Sequence, residues 1–174
     1  MAYDNVGIGT NEGIRFKSAR TRGGYVRDVL IRGLKLTNVP LPFTFTLNWN
    51  PSYSYATIPK GVDHIPPHWV VLTTPVTPLE RGLCEISNIT IEDVEITGAL
   101  SVFSATGLPE KLIRNVSWKN INAQAVVAGT IEICRRLDHD MTNVKLQTSE
   151  GLPVKTAHNT NVQMPEVVKQ PARN

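Results

Sequence analysis

Four short segments share one pattern, and their spacing limits what the chain can fold into. Asp28-Val29-Leu30-Ile31, Asn88-Ile89-Thr90-Ile91, Asn115-Val116-Ser117-Trp118 and Asn143-Val144-Lys145-Leu146 each begin with Asp or Asn. Each then carries apolar residues at alternate positions. Their starts lie 60, 27 and 28 residues apart. A second series reads Ile14-Arg15-Phe16-Lys17, Phe43-Thr44-Phe45-Thr46, Ser101-Val102-Phe103-Ser104 and Thr130-Ile131-Glu132-Ile133, at intervals of 29, 58 and 29. Both series keep a period near 28 residues and share one double interval. A period of this size, built from short β-rich runs without an amphipathic helix, predicts stacked repeats in which each turn lays a strand on the one below. The fold class expected is all-β, a right-handed parallel β-helix (solenoid) of about four rungs. A β-sandwich, the other all-β solution, places turn signals every 8–12 residues or so, which the long paired period does not match.

The double interval is an insertion. It lies between the second and first series, so about thirty extra residues fall within 50–83. Pro51, Pro59, Pro66, Pro67, Pro75 and Pro78 exclude a central strand over most of that stretch. Past Gly151 the pattern fades, and Leu152-Pro153, Met164-Pro165 and Gln170-Pro171 predict an end to strand structure. The expected organisation is a single domain over 1–168, with a cap at 151–168 and a frayed tail at 169–174. Only 1–12 precede the first repeat, too few for a complete turn. An open strand edge is therefore expected at the N-terminal end, with self-association through it.

The 174 residues suffice for one domain with a buried core. A net charge of +3 with scattered Lys and Arg gives no nucleic-acid stripe. No apolar run approaches the roughly 20 residues of a membrane span, and residues 1–5 open no signal peptide. Cys84 and Cys134 are too few for a disulfide framework and lack metal-ligand spacing, so both are expected as buried thiols. Asn88-Ile89-Thr90 and Asn115-Val116-Ser117 fit the glycosylation pattern, but they coincide with the repeat and are expected to be by-products of it.

In Ile14-Arg15-Phe16-Lys17 the alternation turns Ile14 and Phe16 one way and Arg15 and Lys17 the other. Gly13-Ile14-Arg15-Phe16-Lys17-Ser18, followed by Arg22-Gly23-Gly24-Tyr25-Val26, resembles the late cleft segment of polygalacturonase-type enzymes, family 28 of the glycoside hydrolases. The resemblance runs from about Asn11 to Gly151 and matches the C-terminal part of such an enzyme. It implies a right-handed parallel β-helix acting on galacturonate-containing, pectic polysaccharide by inverting hydrolysis. It implies secretion or a periplasmic location for a full-length member. It further implies that Arg15 and Lys17 bind the uronate. That suits the chemistry, since Arg offers a planar two-pronged donor to a carboxylate and Lys a point charge. Where the family tends to carry a cleft Tyr, this chain has Trp49, which can stack on a sugar face but is neither acid nor base. The substrate-binding candidates are Arg15, Lys17 and Trp49, and the partner expected is an acidic oligo- or polysaccharide.

Inverting hydrolysis needs two carboxyls roughly 6.5–9.5 Å apart. The family's Asn-Thr-Asp, Asp-Asp and Gly-His-Gly segments have no counterpart here. Asn159-Thr160-Asn161 is not a match, Glu92-Asp93 falls on a turn of the repeat, and Asp138-His139-Asp140 reads as turn chemistry. No catalytic residue, cofactor or metal ligand is therefore assigned. The chain is expected to be a C-terminal fragment that binds but does not cleave. The alternatives are a non-catalytic carbohydrate-binding module and a purely structural solenoid. In the insertion, Tyr53, Tyr55, His64, His68 and Trp69 offer an aromatic, hydrogen-bonding surface. Pro66 and Pro67 prevent the helix that would align His64 with His68 on a metal.

Overall fold

The computed structural model describes residues 1–54, 56–132, 141–158 and 164–171. Among them ten strands form one sheet: β1 (Ala2–Tyr3), β2 (Val6–Ile8), β3 (Glu12–Lys17), β4 (Tyr25–Thr37), β5 (Leu41–Thr46), β6 (Glu85–Thr106), β7 (Arg114–Glu132), β8 (Met141–Thr148), β9 (Lys155–Ala157) and β10 (Glu166–Lys169). Every pairing is parallel. The molecule is thus all-β with a parallel sheet, as the repeat predicts. Tyr55, Cys134, the Asp138-His139-Asp140 cluster and Asn159-Thr160-Asn161 lie outside the described residues, as does the side chain of Tyr53.

The long strands are bent at regular points by residues in the left-handed region. Asp28 and Gly33 bend β4, Asn88, Asp93 and Gly98 bend β6, and Asn115 and Asn120 bend β7, all with φ between 52° and 71°. Successive bends are five residues apart. Alternation would turn Ile31 and Leu34 to opposite faces, yet both are buried, because the left-handed residue between them reverses the phase. Asp and Asn tolerate this conformation better than other side-chain-bearing residues.

Stacked bends share side-chain hydrogen bonds. The Asn115 Nδ2 donates to Asn88 Oδ1, and Asn88 Nδ2 donates to Asp28 Oδ1, each at 2.9 Å. A second ladder runs from Asn143 through Asn120 to Asp93 at 3.1 and 2.9 Å. The glycosylation-like Asn88 and Asn115 are therefore ladder members. Gly33 takes its place because a β-carbon there would run into the Asp4 carboxylate.

In-register pairing aligns the core in columns: Ile31, Ile91 and Trp118; Leu34, Val94, Ile121 and Val144; Leu36, Ile96, Ala123 and Leu146. Each fully buried Ile, Leu or Phe contributes about 1.5–3 kcal/mol. The late part of β6 meets the early part of β7 across this core: Phe103 lies edge-on to Trp118 at 5.1 Å and stacked on Phe43 at 5.8 Å. Cys84 joins the core as a buried free thiol.

The register corrects three details of the repeat. Asn143 stacks on Asn120, not on Asn115, because the Asn-apolar motif recurs at successive bends five residues apart. Phe43 pairs with Phe103 and Ser104 with Thr130, so the true register of the second series differs by two or three residues from the alignment of Phe43 with Ser101 and of Ser101 with Thr130. Past Gly151, β9 pairs with β7 and β10 with β8, and the Gln170 N–H still donates to the Thr148 carbonyl. The prolines there flank the strands instead of interrupting them.

The β4–β6 offset of 60 residues, against 29 for β1–β4, places the extra chain between β5 and β6. It holds α1 (Pro51–Ser54), α2 (Pro67–Thr73) and a 3₁₀ turn at Leu79–Gly82. Pro66 caps α2, so His64 lies outside the helix that contains His68. At the N-terminal end, β1 and β2 cover Ile31–Arg32 and residues 35–37 of β4, more than residues 1–12 had promised. The outer edges of residues 25–30 of β4, which pair with β6 on their other side, and of β1, β2 and β3 have no strand partner among the described residues. Val6 and Ile8 are 67% and 70% exposed there.

Two outcomes are expected. Asn120→Ala removes the middle of a ladder and leaves at φ 53° a residue with no side-chain hydrogen bond to offset the left-handed conformation. It should cost about 2 kcal/mol in urea denaturation, and Asn120→Gly clearly less. Light scattering should show association rising with concentration, and Ile8→Lys should suppress it. A monodisperse protein indifferent to Ile8→Lys would show that the edge is inert.

Candidate functional site

β3 is an edge strand whose outward residues are Arg15 and Lys17, both exposed, while Ile14 and Phe16 turn inward. Phe16 packs against Phe45 of β5 at 5.0 Å between ring centroids, which fixes the strand's roll. Gly13 lets β3 sit close to β5, since a β-carbon there would fall 2.6 Å from the Pro42 carbonyl oxygen. The chain leaving β5 stays alongside: the Ser18 N–H donates to the Thr46 carbonyl at 2.8 Å, and the Trp49 N–H to the Ser18 carbonyl at 2.9 Å. This pair of bonds carries the Trp49 indole over the two cations.

All three predicted residues come together. The Lys17 Nζ lies 3.8 Å from the Trp49 ring centroid and the Arg15 guanidinium carbon 5.5 Å. Cations at this range are attracted by the ring's negative face. Trp49 is 39% exposed, so the indole is open to solvent on part of its surface. Sequence reasoning missed Glu12, whose carboxylate Oε2 accepts a bond from Arg15 Nη1 at 2.5 Å. A Glu three residues before an Arg signals such a pair on a helix, but not on a strand, where the two residues alternate faces. The group carries two positive charges and one negative. It can receive a carboxylate at Lys17 directly, and at Arg15 in exchange for Glu12.

Below the cations the register sets two further outward columns. Thr44, Ser104, Thr130 and Lys155 lie under Arg15; Thr46, Thr106 and Glu132 lie under Lys17. Glu92 and Asp93 are structural: Glu92 pairs with Arg32, and Asp93 accepts from Asn120. No group of three His, Cys, Asp or Glu side chains among the described residues is placed to hold a metal. No helix among them is long and apolar enough to cross a membrane.

The loops beside the site are joined by ion pairs. Arg20, just past β3, pairs with Glu110 in the loop between β6 and β7, and this bond holds the Glu110 carboxyl below its ordinary 4.5. Glu85 is also held low, first by a bond from the Ser87 hydroxyl and then by Lys111, 3.1 Å away, with Arg114 at 3.0 Å. Both folded values lie below the unfolded ones, so the unfolded chain binds more protons in acid. The stabilisation is complete above the unfolded value and is lost as pH falls through the folded one. Thermal denaturation should therefore show the melting temperature falling below about pH 4.5. Glu85→Gln should lower it at pH 7 and reduce its acid dependence; an unchanged pH profile would mean that Glu85 is not linked to folding.

No family model, curated protein or solved structure matches the chain.

Proposed function

We propose that this chain binds acidic, galacturonate-containing polysaccharide through Arg15, Lys17 and Trp49. We further propose that its parallel sheet winds as a right-handed β-helix of the polygalacturonase type. The helix is supported by the all-parallel pairing, the left-handed bends every five residues, and the contact of Phe103 with Trp118 across the core. The binding role rests on one observation, the convergence of both outward cations of β3 on one indole. A uronate chain offers a carboxylate to Lys17, an exchange partner for Arg15 in place of Glu12, and a sugar face for the solvent-exposed part of the ring. A related enzyme would cleave such a chain by inversion, but here the carboxylate touching the group is Glu12, already paired with Arg15. Binding without cleavage is the function this arrangement supports.

Calorimetric titration with trigalacturonate at low salt tests the proposal. The wild type should bind weakly, with affinity falling as salt rises. Arg15→Ala/Lys17→Ala should lose at least about tenfold in affinity. Glu12→Gln should gain about two- to fivefold, because Arg15 no longer exchanges partners. No new reducing ends should appear. Equal heats from wild type and the double variant would end the binding proposal. Turnover abolished by Arg15→Ala would replace it with an enzyme.

A further inference from the structure

The turn that follows β3 holds a residue in a conformation that its side chain disfavours. The Arg22 N–H donates to the Ala19 carbonyl at 3.3 Å, which closes a turn over Ala19–Arg22 with Thr21 at its third position. Thr21 stands there at φ 68°, in the left-handed region. Every other described residue in that region is Gly, Asp, Asn or His. A β-branched side chain is an outlier there, and glycine or asparagine is the ordinary occupant of such a turn position. Gly23 and Gly24 follow within three residues, so the threonine is not for want of glycine nearby. Strain kept at a single residue is a reason to ask what its side chain holds.

The Thr21 hydroxyl donates to the Ser54 carbonyl at 3.0 Å, across 33 residues of sequence. Ser54 is buried and ends α1. Just before α1 stands Trp49, whose N–H is bonded to the Ser18 carbonyl at 2.9 Å. Between them the Asn50 side-chain oxygen accepts from the Ser52 N–H at 3.1 Å and from the Ser52 hydroxyl at 2.7 Å, which fixes the start of α1. The segment from Trp49 to Ser54 is therefore held at both ends by one short stretch, at Ser18 and at Thr21. That stretch is itself anchored. Ala19 is buried, Arg20 is paired with Glu110, and the Gly23 N–H donates to the Gly82 carbonyl at 2.8 Å. A bond at Trp49 alone would leave the chain beyond it free to swing, and the bond at Ser54 removes that freedom.

We propose that Thr21 is a positioning residue of the polysaccharide site. Its hydroxyl, through Ser54 and α1, keeps the Trp49 indole over Lys17 and Arg15. The inference rests on the polysaccharide reading for the use of the indole, and on the two hydrogen bonds for its placement. It also accounts for the strained residue. Glycine would relax the backbone at this position but would lose the donor.

The test joins amide hydrogen exchange in the full chain with calorimetric titration of trigalacturonate. Thr21→Val keeps the side-chain shape but not the donor, and Thr21→Gly loses the donor while suiting the left-handed backbone. In both, the Trp49 amide should exchange about fivefold faster, as expected for one lost hydrogen bond, with the amides of β6 and β7 unchanged. Thr21→Ser keeps the donor and should exchange as the wild type does. Trigalacturonate should bind Thr21→Val and Thr21→Gly about threefold more weakly than the wild type, and Thr21→Ser equally well. In a Trp49→Ala background neither change should weaken binding further, which a residue acting on the ligand directly or through the fold at large would not show. Unchanged exchange at Trp49, or an equal loss of affinity with and without the indole, would overturn the assignment. If the wild type does not bind trigalacturonate, the polysaccharide reading falls by itself, and the Trp49 amide still decides whether Thr21 holds the indole in place.

Discussion

The structure depends on a backbone that bends to the left every five residues without losing its ladder. An extended strand alternates faces and cannot place Ile31 and Leu34 in the same core. A single residue near φ 55° between apolar pairs resets the alternation, so that two side chains in five turn inward at every bend. The conformation costs about 1–2 kcal/mol for an ordinary side chain. Asp and Asn reduce that cost, and stacking offsets more of it, because each Asn donates to the one on the preceding strand. The head of each ladder is an Asp, Asp28 or Asp93, which only has to accept. The bend, the core columns and the parallel register are thus one device, and a fault in one bend misplaces the apolar residues on both sides of it.

The same register builds the candidate site. Arg15 and Lys17 are neighbours on one face because β3 alternates, and they are held in place because Phe16 packs on Phe45 beneath them. Trp49 reaches them through a backbone bond to Ser18, not through any contact a motif would display. The site is also partly satisfied as it stands. Glu12 neutralises one cation, and the Trp49 ring attracts the other. A ligand carboxylate must displace an existing partner at Arg15, so the net gain is the difference between two ion pairs at an exposed position, and exposed pairs are worth little.

Much of this was legible in the residues, and the failures have physical causes. Asp28, Asn88 and Asn115 were correctly aligned because the bend residue is written in the sequence. Asn143 was misassigned because the same residue type marks every bend, and composition does not say which one. Gly33 and Gly98 left no trace, since glycine adopts left-handed geometry in any turn. β9 and β10 are hidden in the sequence because the prolines that signal a stop stand outside the strands. Pro165 stands immediately before β10 and Pro171 after it, positions where the missing N–H interrupts no ladder. The outward turn of Arg15 and Lys17 followed from alternation alone, but Glu12 did not, because its contact with Arg15 depends on side-chain reach.

The outward face below the cations limits what a long acidic chain would gain. Under Arg15 the residues are Thr44, Ser104 and Thr130, neutral hydroxyls, before Lys155 appears. Four strand spacings of about 4.8 Å separate Lys155 from Arg15, roughly 19 Å. Thr44 is itself buried, so the open part of this face begins at Thr46 and Ser104. Under Lys17 the series runs through Thr46 and Thr106 to Glu132 and then Ala157. A polyanion laid along the strand stack would therefore find attraction at the β3 end and only hydroxyl hydrogen bonds over the next strands. On the proposed binding, affinity would be concentrated where Arg15, Lys17 and Trp49 meet, and lengthening the ligand beyond a few sugars would add hydroxyl contacts that merely replace those to water.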